Sequence, residues 1–267
     1  MKPARLKEIW IYPVKSLGGY RCAEALALEK GFVHDRRWML IDANNRFLTQ
    51  REHPEMALFS VFLSGNTLKI THRKTAASVQ FEVWRQSGKK YTARIWQDEV
   101  TVYEVHSEVS RWFTHELGLE CRLVRFPEEN PRPAYPRYVP LPGNVSLADA
   151  YPYLIIGQAS LDLLNRHLIN PVSMLRFRPN LVISGSEPFA EDAWKKFTIG
   201  QVLFEAVKPC ARCILTTVDP DTGIRGKEPL KTLAAFRKTG NAIYFGMNAI
   251  AHTSGIISEN DEISFTH

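Results

Sequence analysis

The chain of 267 residues has only four cysteines, Cys22, Cys121, Cys210 and Cys213. They are too few and too unevenly spaced for the disulfide framework of a small secreted domain. Just one pair, Cys210 and Cys213, is close in sequence, and the eight histidines show no spacing of a metal triad. No apolar run approaches the length that spans a bilayer, and no charged start, apolar stretch and small-residue cleavage site precedes the strand-like IWIYPV. A soluble, cytoplasmic protein without membrane contact is therefore expected. A long basic block is missing too: 34 Lys and Arg are interspersed with 28 Asp and Glu, for a net charge of +6. That balance suits an anionic small ligand as well as nucleic acid. Without an RNA-recognition signature, zinc-finger spacing or basic helix, a nucleic-acid partner is not expected. Internal repeats and low-complexity tracts are absent.

What is present begins as strands. EIWIYPV alternates Ile9 and Ile11 against Trp10 and Tyr12 up to Pro13, and RWMLIDANNRFLTQR reads as a hairpin around Asp42 to Asn45. NTLKITH, SVQFEVW and the pair KYTARIW and EVTVYEV follow; Val109, Trp112, Phe113 and Leu117 then recur at helical spacing until Gly118. The tryptophans read as core or cleft walls. From Phe126 to Gly143 the chain is proline-dense, which excludes a central strand or helix interior and marks a domain junction or long crossing loop. Beyond it strands (YLIIG, NLVISG, QVLFEAV, CILTTV, AIYFGMNAI, EISF) alternate with helices in ASLDLLNRHL, EDAWKKF and EPLKTLAAFRKTG, the last ending at Gly240. The sum is a β-rich α+β chain: a β domain over 1–125, a proline-rich connection over 126–143, and a mixed α/β domain over 144–267.

The chemistry concentrates in KPCARCILTTVDPDTG, Lys208 to Gly223. A structural zinc site needs a second Cys or His couple, and this chain offers none. A dithiol oxidoreductase places its pair at a helix N-terminus, whereas a strand is expected after Cys213. A single thiolate donating to a soft metal needs only one sulfur, a positive neighbour such as Arg212 and a rigid mount. Burial of both sulfurs as small hydrophobes is the other possibility. The residues alone leave these two open.

Four motifs in order, IYPVKSLGG (Ile11 to Gly19), HDRRWMLI (His34 to Ile41), RFRPNLVISG (Arg176 to Gly185) and the cysteine stretch, resemble the MOSC family. The likeness is to the YcbX-like bacterial proteins and the mitochondrial amidoxime-reducing components. It implies an N-terminal β-barrel region followed by a MOSC domain with a β-barrel core. It further implies a molybdenum-molybdopterin cofactor in a cleft between the two. By that resemblance Cys213 is the metal ligand and the catalytic residue, with Cys210 structural. Lys15, Ser16, Arg36, Arg178 and Arg212 bind the cofactor, and Asp149 and Asn248 stand where family members line the cleft. Some relatives carry hydroxyl residues where this chain has Ala211 and near Ala150, so main-chain N–H groups are expected to replace those contacts.

The activity so implied is reduction of N-hydroxylated small molecules: hydroxylamines, amidoximes and hydroxylaminopurines, the last a form of base detoxification. Some bacterial relatives continue into an iron-sulfur module; none follows here, so no intrinsic cluster is expected. Electrons then come from a separate flavoprotein, ferredoxin or haem protein. The alternative is a non-catalytic carrier of molybdenum cofactor or sulfur.

Overall fold

The computed structural model describes residues 3–133 and 143–265. Residues 134–142, most of the second half of the proline-rich connection, lie outside the described residues. The protein is β-rich and α+β, with an N-terminal barrel.

Among the described residues the strands form four sheets. The largest runs in the order Ile263–Phe265, Lys196–Ile199, Val202–Ala211, Ala242–Ala251, Tyr153–Gly157, Leu181–Ser184, Arg5–Ile11 and Tyr20–Cys22. The two halves of the sequence are interwoven there. Arg5–Ile11 pairs antiparallel with Leu181–Ser184, and in a separate small sheet Glu24–Leu28 pairs with Gly255–Ser258. Tyr153–Gly157 and Leu181–Ser184 run parallel and are joined through helix α2 (Gln158–Arg166), whereas helix α1 (Ser107–Leu117) lies earlier, in the first half of the chain. The large sheet closes around Leu6, Ile9, Phe32, Tyr153, Phe197 and Phe204, all essentially inaccessible, because alternate side chains of paired strands share one face.

A second sheet, Trp38–Asp42, Cys121–Arg125, Asp98–Glu104 and Lys90–Ile95, and a third, Phe59–Ser64, Thr67–His72 and Ser78–Glu82, belong to the first half. Helix α1 buries Val109 and Phe113 against them and ends at Gly118 in the left-handed conformation, φ 66°.

Four local expectations are corrected. CILTT is not a strand but a 3-10 turn over Ile214–Thr217. The Thr216 hydroxyl donates to the Cys213 carbonyl at 3.0 Å and Thr217 to Ile214 at 2.7 Å, giving the backbone an alternative to a ladder. The FLTQR arm of the expected hairpin makes only bridges, since Phe47 pairs with Ile41 while Arg46 pairs with Arg94. EDAWKKF divides into a 3-10 turn, Ala190–Ala193, and the strand Lys196–Ile199, which is held between two neighbours. Helix α3 (Leu230–Phe236) stops before Gly240, which instead turns the hairpin between Lys238–Thr239 and Ala242–Ala251. Two tryptophans also escape the core: Trp84 and Trp96 are 57% and 49% exposed.

Candidate functional site

The ends of these elements enclose a cavity of about 310 Å³, within the range of small-molecule sites. Its walls include Lys15, Ser16, Arg36, Asp149, Arg178, Arg212, Cys213 and Asn248, so the residues singled out in the sequence converge from both halves of the chain. None of the described histidines lines it.

The first wall is built where Arg5–Ile11 ends. Pro13 and Val14 turn the chain so that Lys15 N donates to Trp38 O at 2.7 Å. Gly19 then passes so close to Tyr12 that a Cβ would lie 2.5 Å from the ring. Tyr12 is thereby held as a floor, 1% exposed. Over its face lie two guanidinium groups, Arg36 at 4.8 Å and Arg178 at 4.3 Å from the ring centre. Arg36 is paired with buried Asp35 and donates to Asn180 Oδ1 at 2.9 Å; Arg178 donates to Leu17 O at 2.6 Å. Burial, with Arg36 beside it, lowers Arg178 to about 10. Burial likewise raises the Tyr12 phenol, whose oxygen has no hydrogen-bond partner.

Backbone strain falls on the same residues. Ser16, Arg36 and Arg178 have φ of 67°, 51° and 55°, the left-handed region that non-glycine residues seldom adopt. Each such residue stores about 1–3 kcal/mol and persists only where its surroundings over-determine it.

The second wall is the Ser146–Ala150 segment. Arg132 pins it by donating to Ser146 O and Ala148 O at 2.6 Å each, and Lys15 Nζ donates to Leu147 O at 2.8 Å. Asp149 pairs with Lys15 and, through Oδ2, with Arg51 Nη2 at 2.8 Å. Burial pushes the Asp149 carboxyl up, but Lys15 and Arg51 together outweigh it and hold the group well below the usual carboxylate range. At neutral pH Asp149 is therefore an acceptor and not a proton donor. Burial lowers Lys15 to about 8 against the opposing pull of Asp149.

The third wall carries the cysteines. The Val202–Ala211 strand brings Lys208 and Cys210 to the cavity, the paired Ala242–Ala251 strand brings Asn248, and Cys213 stands exposed at the start of the 3-10 turn. Arg212 donates to Phe177 O at 2.7 Å and to Cys210 Sγ at 3.0 Å, while its buried Nε has no partner. Cys210 packs half-buried against the cluster around Leu154 and Phe177. Ala150 and Ala211 line the cavity without a side-chain hydrogen bond to offer.

Arg51 was not anticipated. No motif contains it, yet its Nε donates to Cys213 Sγ at 3.3 Å. The failed hairpin arm is what carries it there.

Six cations, Lys15, Arg36, Arg51, Arg178, Lys208 and Arg212, face the cavity against one carboxylate, Asp149, so the walls favour an anion. Among the described residues no three His, Cys, Asp or Glu side chains converge to hold a metal. A metal here would take one protein sulfur and draw its other ligands from a bound organic group. The unpartnered Arg212 Nε, the strained arginines and the exposed Cys213 thiol fit an anionic, metal-bearing ligand.

Comparison with known proteins agrees in order and extent. Residues 3–120 match the MOSC N-terminal beta barrel domain and residues 142–264 the MOSC domain. The human mitochondrial amidoxime-reducing component 1 is 33% identical over 96% of this chain and 81% of its own length. The human mitochondrial amidoxime reducing component 2 is 36% identical over 86% and 71%. The molybdenum cofactor sulfurase of Arabidopsis thaliana is 30% identical over 90% of this chain, a match to 32% of that protein. The cytoplasmic expectation is corrected by these names, since the amidoxime-reducing relatives are named as mitochondrial. Among the described residues no helix is long and apolar enough to cross a membrane.

Proposed function

This chain belongs to the MOSC family, and we propose that its cavity binds molybdenum-molybdopterin and reduces N-hydroxylated small molecules with electrons from a separate flavoprotein, ferredoxin or haem protein. The observation that carries the reading is the convergence of an exposed thiol, Cys213, and a strongly cationic wall on one small cavity. Cys213 Sγ would be the protein ligand of the metal, an anionic sulfur donor that tunes its electronics. Arg36, Arg178 and Arg212 would hold the phosphate and pterin edge through charge-assisted hydrogen bonds of about 1.5–3 kcal/mol each. Lys15 and Ser16 would add donors from the tight turn after Pro13, and Asn248 a polar contact from the facing strand. Main-chain N–H groups at Ala150 and Ala211 would stand where side-chain hydroxyls are missing.

The bound group would supply two-electron reduction of an N–O bond. The balance is R–NH–OH plus two electrons and two protons giving R–NH2 plus water, the electrons entering from the donor protein. Asp149, ionised, would accept an N–H of the substrate and cannot supply the protons, which leaves them to water in the open cavity. Lys15 and Arg51 fix the carboxylate in place for that contact.

The test is turnover of benzamidoxime or an N-hydroxylaminopurine by protein made in a cofactor-competent host. Cys213→Ala is expected to remain folded, because the side chain is exposed, and to lose activity. Full activity in that variant refutes the ligand assignment. Bound cofactor without turnover in the parent protein would favour the carrier alternative.

A further inference from the structure

Among the cations of the cavity, Arg51 alone has a hydrogen bond to the Cys213 sulfur among the described contacts. Its guanidinium makes three: Nε to Cys213 Sγ at 3.3 Å, Nη2 to Asp149 Oδ2 at 2.8 Å and Nη1 to Thr49 Oγ1 at 3.3 Å. A guanidinium has five N–H donors, so one on each terminal nitrogen remains. The side chain is 20% exposed and lines the cavity.

Its position is enforced. The Trp96 ring lies over the guanidinium at 4.6 Å, and the indole Nε1 donates to Asp149 Oδ1 at 3.2 Å. Trp96 begins the two-residue turn between Lys90–Ile95 and Asp98–Glu104, with φ 55°. Asn, Asp and Gly are the ordinary occupants of a turn position with that sign of φ. A bulky, half-exposed tryptophan there gives up backbone ease for its contacts, and these contacts are with Arg51, with Asp149 and with the Phe47 ring at 5.0 Å. Four of the other five cations are committed elsewhere: Arg36 and Arg178 over Tyr12, Lys15 to Leu147 and Asp149, Arg212 to Phe177 and Cys210.

Resting on the reading that Cys213 marks the metal end of the cavity, we propose that Arg51 binds the hydroxyl oxygen of the N-hydroxylated substrate through its two spare N–H groups, with Trp96 and Asp149 as its positioning residues. The oxygen of an N–OH group accepts hydrogen bonds, and it gains negative charge as the N–O bond breaks. A fixed cation beside it is favoured more as the reaction proceeds than in the bound ground state. The product lacks that oxygen and loses the contact, so Arg51 separates substrate from product.

The experiment compares benzamidoxime with benzamidine, which lacks the N–O oxygen, on full-length protein carrying its cofactor. Dissociation constants are measured by calorimetry, and molybdenum and pterin content are assayed in parallel. For Arg51→Gln the benzamidoxime constant rises about tenfold, that for benzamidine, a cation freed from a like charge, stays level or falls, and pterin content is unchanged. Trp96→Ala shifts the constants in the same selective direction by a smaller factor, and Trp96→Phe restores them, because the ring over Arg51 is kept. Equal weakening of both compounds, or no change in either, overturns the proposal. Loss of pterin from the Arg51→Gln protein also overturns it, making Arg51 a cofactor ligand. A parent protein that binds no pterin refutes the underlying reading itself, and this proposal falls with it.

Discussion

Replacing Arg178 by methionine separates a ligand-holding arginine from a structural one, because the two roles predict opposite signs. In the empty protein, burial and the neighbouring Arg36 lower Arg178 from its ordinary value to about 10. That disfavours its charged form by about 3 kcal/mol. Arg178→Met keeps the aliphatic stem over Tyr12 and removes the charge. It sacrifices the hydrogen bond to Leu17 O, which contributes about 1 kcal/mol. The left-handed backbone at φ 55° is equally strained for both side chains and cancels. The empty variant is therefore expected to be as stable as the parent or up to about 2 kcal/mol more so. Its hold on an anionic cofactor should fall by about 1.5–3 kcal/mol, some tenfold to a hundredfold. Urea melts on protein made without the pterin pathway read the first quantity. Molybdenum and pterin content after expression in a competent host read the second. A variant that is destabilised by more than about 2 kcal/mol when empty, yet retains its pterin, would refute the reasoning and make Arg178 part of the scaffold.

Two further outcomes follow from the same walls. Gly19→Ala places a Cβ 2.5 Å from the Tyr12 ring and 2.6 Å from Ile11 O, so it should destabilise the protein by about 1–3 kcal/mol in denaturant melts and lower cofactor content by disturbing the floor under Arg36 and Arg178; a neutral result would show that the floor can move. Lys15 is lowered to about 8, so its charge is present below that pH and lost above it. Pyrophosphate binding to the empty protein should weaken as pH rises through about 8, and Lys15→Met should flatten that profile; a midpoint near the ordinary lysine value would contradict the burial that lowers Lys15.

What the sequence disclosed and what it hid divide along physical lines. Lys15, Ser16, Arg36, Arg178 and Cys213 were singled out because each sits in a short contiguous motif by which the chain resembles the MOSC family, and all five line the cavity. The alternating strands of both halves were legible because a strand's alternation is likewise written in a few consecutive residues. Arg51 was not, since the partners that define it, Asp149 and Cys213, stand 98 and 162 residues away. The 3-10 turn after Cys213 was hidden behind β-branched residues. There the threonine hydroxyls bond back to the carbonyls three residues earlier, overriding strand propensity. Nor could composition reveal that Arg5–Ile11 joins the sheet of the second half, because a strand records its alternation and not its neighbour.

The central claim is that the Cys213 sulfur holds molybdenum at the cationic cavity. Molybdenum X-ray absorption on the parent protein and on Cys213→Ser, both made in a cofactor-competent host, tests it most directly. The account predicts one sulfur fewer in the metal's shell for the variant. An identical sulfur count in the two proteins, with metal bound in both, would contradict it.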